Sequence, residues 1–323
     1  MAKKLLAQTL IATSACIALA SAFQDYGTPR EPVKQNHKKD ATVDRALAYI
    51  LVQGEAWIKE RKCVSCHMIP HMMWSLTAAS QSGYKLPIEK AKELTQWSLD
   101  DAYRLSPGSE GLAQLILAKG GRVTGEERFT AHFVEGLQEK QRADGSWGIG
   151  GQTPEQKRPR VESIEVTTMW AALALDQELG EKAKPAVDRA RDFISTPRPR
   201  HSNEWFVARY LFANRFGEKE VAEKMLELIR RAQNEDGGWG WLNGMESDAI
   251  ATGQSLYALS FAPKDKASKL IARGRDFLKK TQREDGSWNV KGTLTEFKDQ
   301  VLFTSVFWGT NWAVIGLCRT KDN

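Results

Sequence analysis

Gln141-Arg142-Ala143-Asp144-Gly145-Ser146-Trp147 returns twice along the chain, as Gln233-Asn234-Glu235-Asp236-Gly237-Gly238-Trp239 and as Gln282-Arg283-Glu284-Asp285-Gly286-Ser287-Trp288. Each copy follows a charged segment, FTAHFVEGLQEK, VAEKMLELIRRA or KLIARGRDFLKKT, whose apolar residues recur every three or four positions, the spacing of a helix with one buried stripe. The Asp-Gly pair ends that helix, since glycine accepts the left-handed backbone that a helix terminus or tight turn needs. A Gln amide at this place suits orphaned groups at helix ends, and the Trp covers the turn with a large apolar face.

The segments after the turns have a different composition. VTTMWAALALDQEL, SDAIATGQSLYALSF and SVFWGTNWAVIGLCR are small and apolar over most of their length, which predicts buried helices forming an inner layer beneath the charged ones. The second and third Gln are 49 residues apart and the first and second 92, so one unmarked unit fits between, with helices over 185–194 and 203–214 and a turn at Pro197 and Pro199. Upstream, 87–103 with 110–119 and 42–61 with 71–80 complete a set of six helix hairpins. A two-helix repeat of this length builds either an open solenoid or a closed ring.

These Gln-to-Trp turns, each followed by an apolar helix with Thr or Ser near its start, resemble the QW motifs of squalene-hopene cyclases, a fold shared with protein prenyltransferase β subunits and complement thioester domains. The resemblance spans about residues 43–320 and implies an all-α architecture, an α/α toroid of six hairpins with inner and outer helix rings. It implies little about chemistry, because one fold hosts many reactions. The DxDD acid motif of the cyclases is absent, as are suitable cysteines for the prenyltransferase zinc and the GCGEQ-like thioester sequence. In their place Glu165 stands at one inner-helix entrance and Asp248 at another, the two acids open to a catalytic reading. A carboxyl among apolar walls has a raised pKa and suits general acid work; an acid at a helix start is more simply a cap, which lowers it. Trp170, Trp205, Phe206, Tyr257, Trp308 and Trp312 are positioned to line a lumen for an apolar or terpenoid ligand.

Residues 1–22 read as a secretory signal: Lys3 and Lys4, an apolar run from Leu5 to Leu19, and the small Ala20-Ser21-Ala22 before the expected cleavage. The mature chain is therefore expected to be exported, periplasmic or extracellular, with residues 23–42 as a polar tether and 43–323 as the toroid. Beyond the signal no run approaches the about 18 apolar residues of a membrane span. The formal charge of +6 falls to +4 on cleavage, and basic residues alternate with acids, so no nucleic-acid partner is expected.

Cys63-Val64-Ser65-Cys66-His67 has the CxxCH spacing for covalent haem c: two thiols for the vinyl groups and His67 as an axial nitrogen on iron. Export and the odd number of mature cysteines (Cys63, Cys66, Cys318) agree with it. A redox-type Cys63–Cys66 disulfide and a zinc or copper site using His67, His71 and nearby methionines are the competing readings. A sixth iron ligand is open among His71, Met68, Met72, Met73, Met169 and Met245. The motif falls where other hairpins carry the QW turn and implies a redox or electron-transfer role with a partner protein; a non-catalytic scaffold is the third functional class.

Overall fold

The computed structural model describes residues 40–61, 68–105, 107–118, 127–149, 157–292 and 300–322. Over these the chain forms six consecutive hairpins. The first helix of each is α1 (Ala41–Arg61), α3 (Ile88–Leu105), α5 (Glu127–Glu139), α7 (Lys184–Ile194), α9 (Lys219–Arg231) and α11 (Lys264–Thr281). The second is α2 (Ile69–Gln81), α4 (Ser109–Leu117), α6 (Arg160–Leu179), α8 (Asn203–Arg215), α10 (Ala249–Leu259) and α12 (Phe303–Arg319).

Composition sorts the helices into two layers. The outer α9 buries only Ala222, Met225, Leu226 and Ile229, one stripe at helical spacing, whereas every residue of α10 and the run Ser305–Cys318 of α12 are buried. The inner helices touch in sequence order, α2 on α4, α4 on α6, α6 on α8, α8 on α10 and α10 on α12, and α12 packs back on α2. That last contact closes the ring and decides for a toroid over an open solenoid. Outer α1 also packs on α12, so the first hairpin is joined to the last through both layers. The inner crossing of α10 and α12 is close: a Cβ at Gly253 would lie 2.3 Å from the carbonyl oxygen of Trp312.

The repeated turn is one device used three times. The Gln amide nitrogen bridges two carbonyls, that of the turn glycine and one in the outer helix of the following hairpin. For Gln141 these are Gly145 at 3.0 Å and Ala186 at 2.9 Å; for Gln233, Gly237 at 2.8 Å and Leu270 at 3.0 Å. For Gln282 they are Gly286 at 2.9 Å and Thr42 at 2.8 Å. The Gln oxygen accepts from an Arg one turn further along that outer helix, Arg189, Arg273 or Arg45. Gly145, Gly237 and Gly286 have φ of 85°, 92° and 88°, and each lies against the backbone of the same Arg. The Trp indole nitrogen donates to the outer helix it follows, to Leu137 at 2.7 Å, Ile229 at 2.7 Å and Leu278 at 2.9 Å. All three tryptophans are buried.

Most helix limits agree with the periodicity to within two residues, but α6 begins at Arg160, six residues before the apolar segment from Val166, and α11 at Lys264, five before Lys269. At the start of the chain α1 begins at Ala41, inside the expected tether, where Asp40 caps it by accepting the Thr42 N–H at 3.1 Å. The signal and residues 23–39 lie outside the described residues. Among the described residues no helix is long and apolar enough to cross a membrane.

Candidate functional site

Every hairpin runs outer helix, turn, inner helix, so outer C termini, turns and inner N termini share one face of the ring. Sequence places Cys63, Cys66 and His67 between Arg61, the end of α1, and Met68, just before α2; they lie outside the described residues. Phe303, the first residue of α12, stacks on Trp57 of α1 with centroids 6.1 Å apart and planes 14° from parallel. Phe303 is 41% exposed and Val301 50%.

The residues after the motif are buried. Met68, Met72 and Met73 pack in the core, and Met72 faces Gly54 of α1. His71, also buried, accepts through Nε2 from the Trp308 indole N–H at 2.7 Å and packs edge-on to Trp308 and Trp312. Met169 is fully buried on α6, whereas Met245 faces a cleft described below. Cys318 is buried on α12, where desolvation pushes its thiol up to about 12, so it is an apolar filler.

At the centre of the ring Trp74, Trp170, Tyr257 and Trp312, one from each of α2, α6, α10 and α12, meet with all six centroid separations between 5.2 and 6.4 Å. Three of these were among the expected lumen aromatics; Trp74 was not. Trp205 and Trp308 are buried as well, their indole N–H groups donating to Glu165 and His71, and Phe206 packs edge-on to Trp205.

Glu165 is fully buried on α6 and surrounded by donors. Arg200 donates to both its oxygens, Arg198 Nη1 reaches Oε1 at 3.1 Å, and Trp205 Nε1 reaches Oε2 at 2.8 Å. One turn earlier Glu162 accepts the backbone N–H of Ser202 at 2.8 Å, and Arg158 pairs with Glu204 at 2.9 Å while donating to Ser163 and Ser202. The arginines supply the charges that let Glu165 and Glu204 stay inside the protein, while Glu162 is held by the backbone N–H groups of His201 and Ser202 and the Ser202 hydroxyl. They lie on the loops before α6 and α8, outside the QW repeats, which is why the sequence pattern did not single them out.

Asp248 is held differently. Strand β1 (Trp239–Gly240) pairs antiparallel with β2 (Ser247–Asp248), setting Asp248 opposite Trp239. Its carboxyl then caps α10, accepting the Ala251 N–H at 2.8 Å. A cap was expected to lower its pKa. Instead desolvation outweighs the backbone N–H groups of Ala251, Ile250 and Trp241 and the charge of Lys157, raising it to about 6. Asp248 is only half-buried, because it forms part of the wall of a cleft of about 610 Å³ with Lys157, Trp241, Glu246, Asn289 and Lys291.

Residues 211–323, about the last third of the chain, match the family model of the squalene-hopene cyclase C-terminal domain. No curated protein matches the chain. Among solved structures, an unsaturated glucuronyl hydrolase specific for heparin aligns over 88% of this chain and 98% of its own, with a TM-score of 0.61 and 13% identity. A possible GH105 family member from Salmonella enterica subsp. enterica serovar Paratyphi A str. ATCC 9150 covers 94% of this chain and 92% of its own at 12% identity, TM-score 0.39. A polysaccharide lyase covers 87% and 97% at 10% identity, TM-score 0.42. At 13% identity the likeness to the glucuronyl hydrolase is one of fold alone. The chain is an all-α, squalene-cyclase-like α/α toroid.

Proposed function

We propose that this toroid is an exported protein carrying one covalently attached haem c and serving electron transfer with a redox partner protein. The observation that carries the reading is the sequence Cys63-Val64-Ser65-Cys66-His67, which stands in the chain between the end of α1 and the start of α2. Cys63 and Cys66 would hold the porphyrin through thioethers and His67 would ligate the iron; the bound group supplies one-electron chemistry. The exposed Phe303 and Val301, with Trp57 beneath Phe303, are apolar surface of the kind a porphyrin face covers, at the ring position where α1 and α12 meet. Of the nearby ligand candidates, His71 already has Nε2 engaged by Trp308, which favours a ligand from elsewhere or none.

The test is expression in a host with haem c maturation and export. The secreted protein should begin at Phe23 and keep its chromophore through acid-acetone extraction, since thioethers survive where ligation does not. Complete loss of haem in that step overturns the reading. Cys63→Ala with Cys66→Ala should abolish attachment and leave the helical circular dichroism unchanged.

The terpenoid-cyclase alternative draws less support. The central aromatics pack against one another, and Glu165 is held by two guanidinium groups and an indole N–H rather than facing apolar walls. Of the two acids, Asp248 has the environment a general acid needs, at the rim rather than in the lumen.

A further inference from the structure

The first hairpin is bonded to the last at three levels of their seam. At the repeated turn Gln282 donates to the Thr42 carbonyl at 2.8 Å, at the start of α1 Asp40 pairs with Arg275 of α11 at 3.3 Å, and between the inner helices Ser75 of α2 donates to Asn311 of α12 at 2.6 Å. The partners stand 240, 235 and 236 residues apart in the chain. By contrast, the covalent path from this hairpin to the next is short. Only residues 82–87, outside any helix, join α2 to α3, and within them Gly83 has φ of 80° with no atom within 4 Å of the place a Cβ would take. The face that the hairpin brings to the seam is apolar, since α2 is buried from Ile69 to Ala79.

We propose that the seam surface of α11 and α12 is an interaction surface for a second copy of this chain, and that residues 41–81 are the unit exchanged: the first hairpin of each copy closes the ring of the other. The seam bonds join residues so distant in sequence that the same contacts form between two chains with the same geometry. A hairpin outside its own ring exposes the buried face of α2 to water, and the seam of a second copy is the surface shaped to cover it. Because α1 is the first described helix, the hairpin leaves its ring on the single connection 82–87 and draws no described element through the ring. Within one copy that connection holds the hairpin beside its own seam at an effective concentration on the order of millimolar, which favours the monomer in dilute solution. The balance turns to the exchanged pair when chains refold at high concentration, or when the connection is too short to bring α2 back to its own ring.

Exchange is independent of the haem reading and is tested on the full mature chain by size exclusion with light scattering, with reductant present to remove disulfide-linked pairs. Wild type unfolded in urea and refolded at high concentration should give a species of twice the monomer mass with native circular dichroism, and refolded in dilute solution it should give monomer. That pair should persist for hours on dilution, because it separates only by undocking both hairpins. Deleting Lys85 and Leu86 shortens the reach of the connection by about 7 Å, and the shortened chain should refold mainly to the pair. Gln282→Ala in the shortened chain should raise the dissociation constant on the order of a hundredfold, about tenfold for each of the two seams. Where the shortened chain does not refold, the wild-type series decides by itself. Exchange is overturned by wild type that refolds to monomer at every concentration, by a pair that separates as soon as it is diluted, by a shortened chain that is a natively folded monomer, or by a pair indifferent to Gln282→Ala.

Discussion

The amide nitrogen of Gln282 donates to the carbonyl oxygen of Thr42 at 2.8 Å, across 240 residues of sequence, and so ties the last hairpin to the first. The same bond made by Gln141 and Gln233 joins neighbouring hairpins; only at Gln282 does it close the ring.

Gln282→Ala should therefore lower stability by about 1–2 kcal/mol, the cost of leaving two carbonyls short of a donor. Because the ends of the chain are released from each other, hydrogen exchange should rise in α1 more than in α6. Equal protection of α1 in variant and wild type would mean the inner contact of α2 with α12 closes the ring without help.

Gly286→Ala should be more damaging than Gly217→Ala, although both glycines have positive φ, 88° and 76°. Around Gly217 there is open space, so the cost is the backbone strain of about 1 kcal/mol. At Gly286 the new Cβ would stand 2.3 Å from the Arg45 carbonyl oxygen, forcing α1 away from the turn. Urea denaturation of the two variants compares them directly.

Trp239→Ala should cost about 3–5 kcal/mol by opening a cavity under the turn, and Trp239→Phe less, losing chiefly the indole bond to Ile229 at 2.7 Å. A cost below about 1 kcal/mol for the alanine variant in chemical denaturation would contradict the packing described here.

Glu165→Gln should destabilise by about 3–5 kcal/mol, since it leaves the buried Arg200 without its counter-charge. Glu165→Leu combined with Arg200→Met should recover much of the loss, which a thermodynamic cycle in urea would measure. If the single variant is as stable as wild type, the ion pair is not the reason Glu165 is buried.

Asp248 links stability to pH in a defined direction. Its carboxyl is raised from 3.8 to about 6 in the folded state, so the folded protein binds the extra proton between those values. The associated stabilisation is complete below about pH 4 and is lost as pH rises through 6, up to about 3 kcal/mol for a shift of this size. Asp248→Asn removes the titration. The variant should thus gain relative to wild type on going from pH 4.5 to pH 7.5, read as the difference in denaturation midpoints at the two pH values.

The two helix layers and the three turns were legible in the sequence because each follows from local spacing. A residue every third or fourth position assigns a helix face, and Asp-Gly with a Trp two residues later assigns a turn, whatever lies beyond. Ring closure was not legible, since the contact of α12 with α2 is a relation between the two ends of the chain. The haem proposal likewise rests on five adjacent residues, Cys63 to His67, and needs no tertiary relation to be stated.

The two acids show the other limit. In sequence Glu165 and Asp248 looked alike, each at the start of an apolar inner helix. Folding gave Glu165 two arginines and an indole from the loop and helix of the next hairpin, and gave Asp248 a cleft wall where desolvation outweighs the N–H groups and the Lys157 charge that act on it. Sequence by itself determined the helix faces and the turns, because these depend on neighbours a few residues away. Only the tertiary structure decided which carboxyl is neutralised and which is desolvated, because both properties are sums over charges and atoms that the chain brings together from distant hairpins.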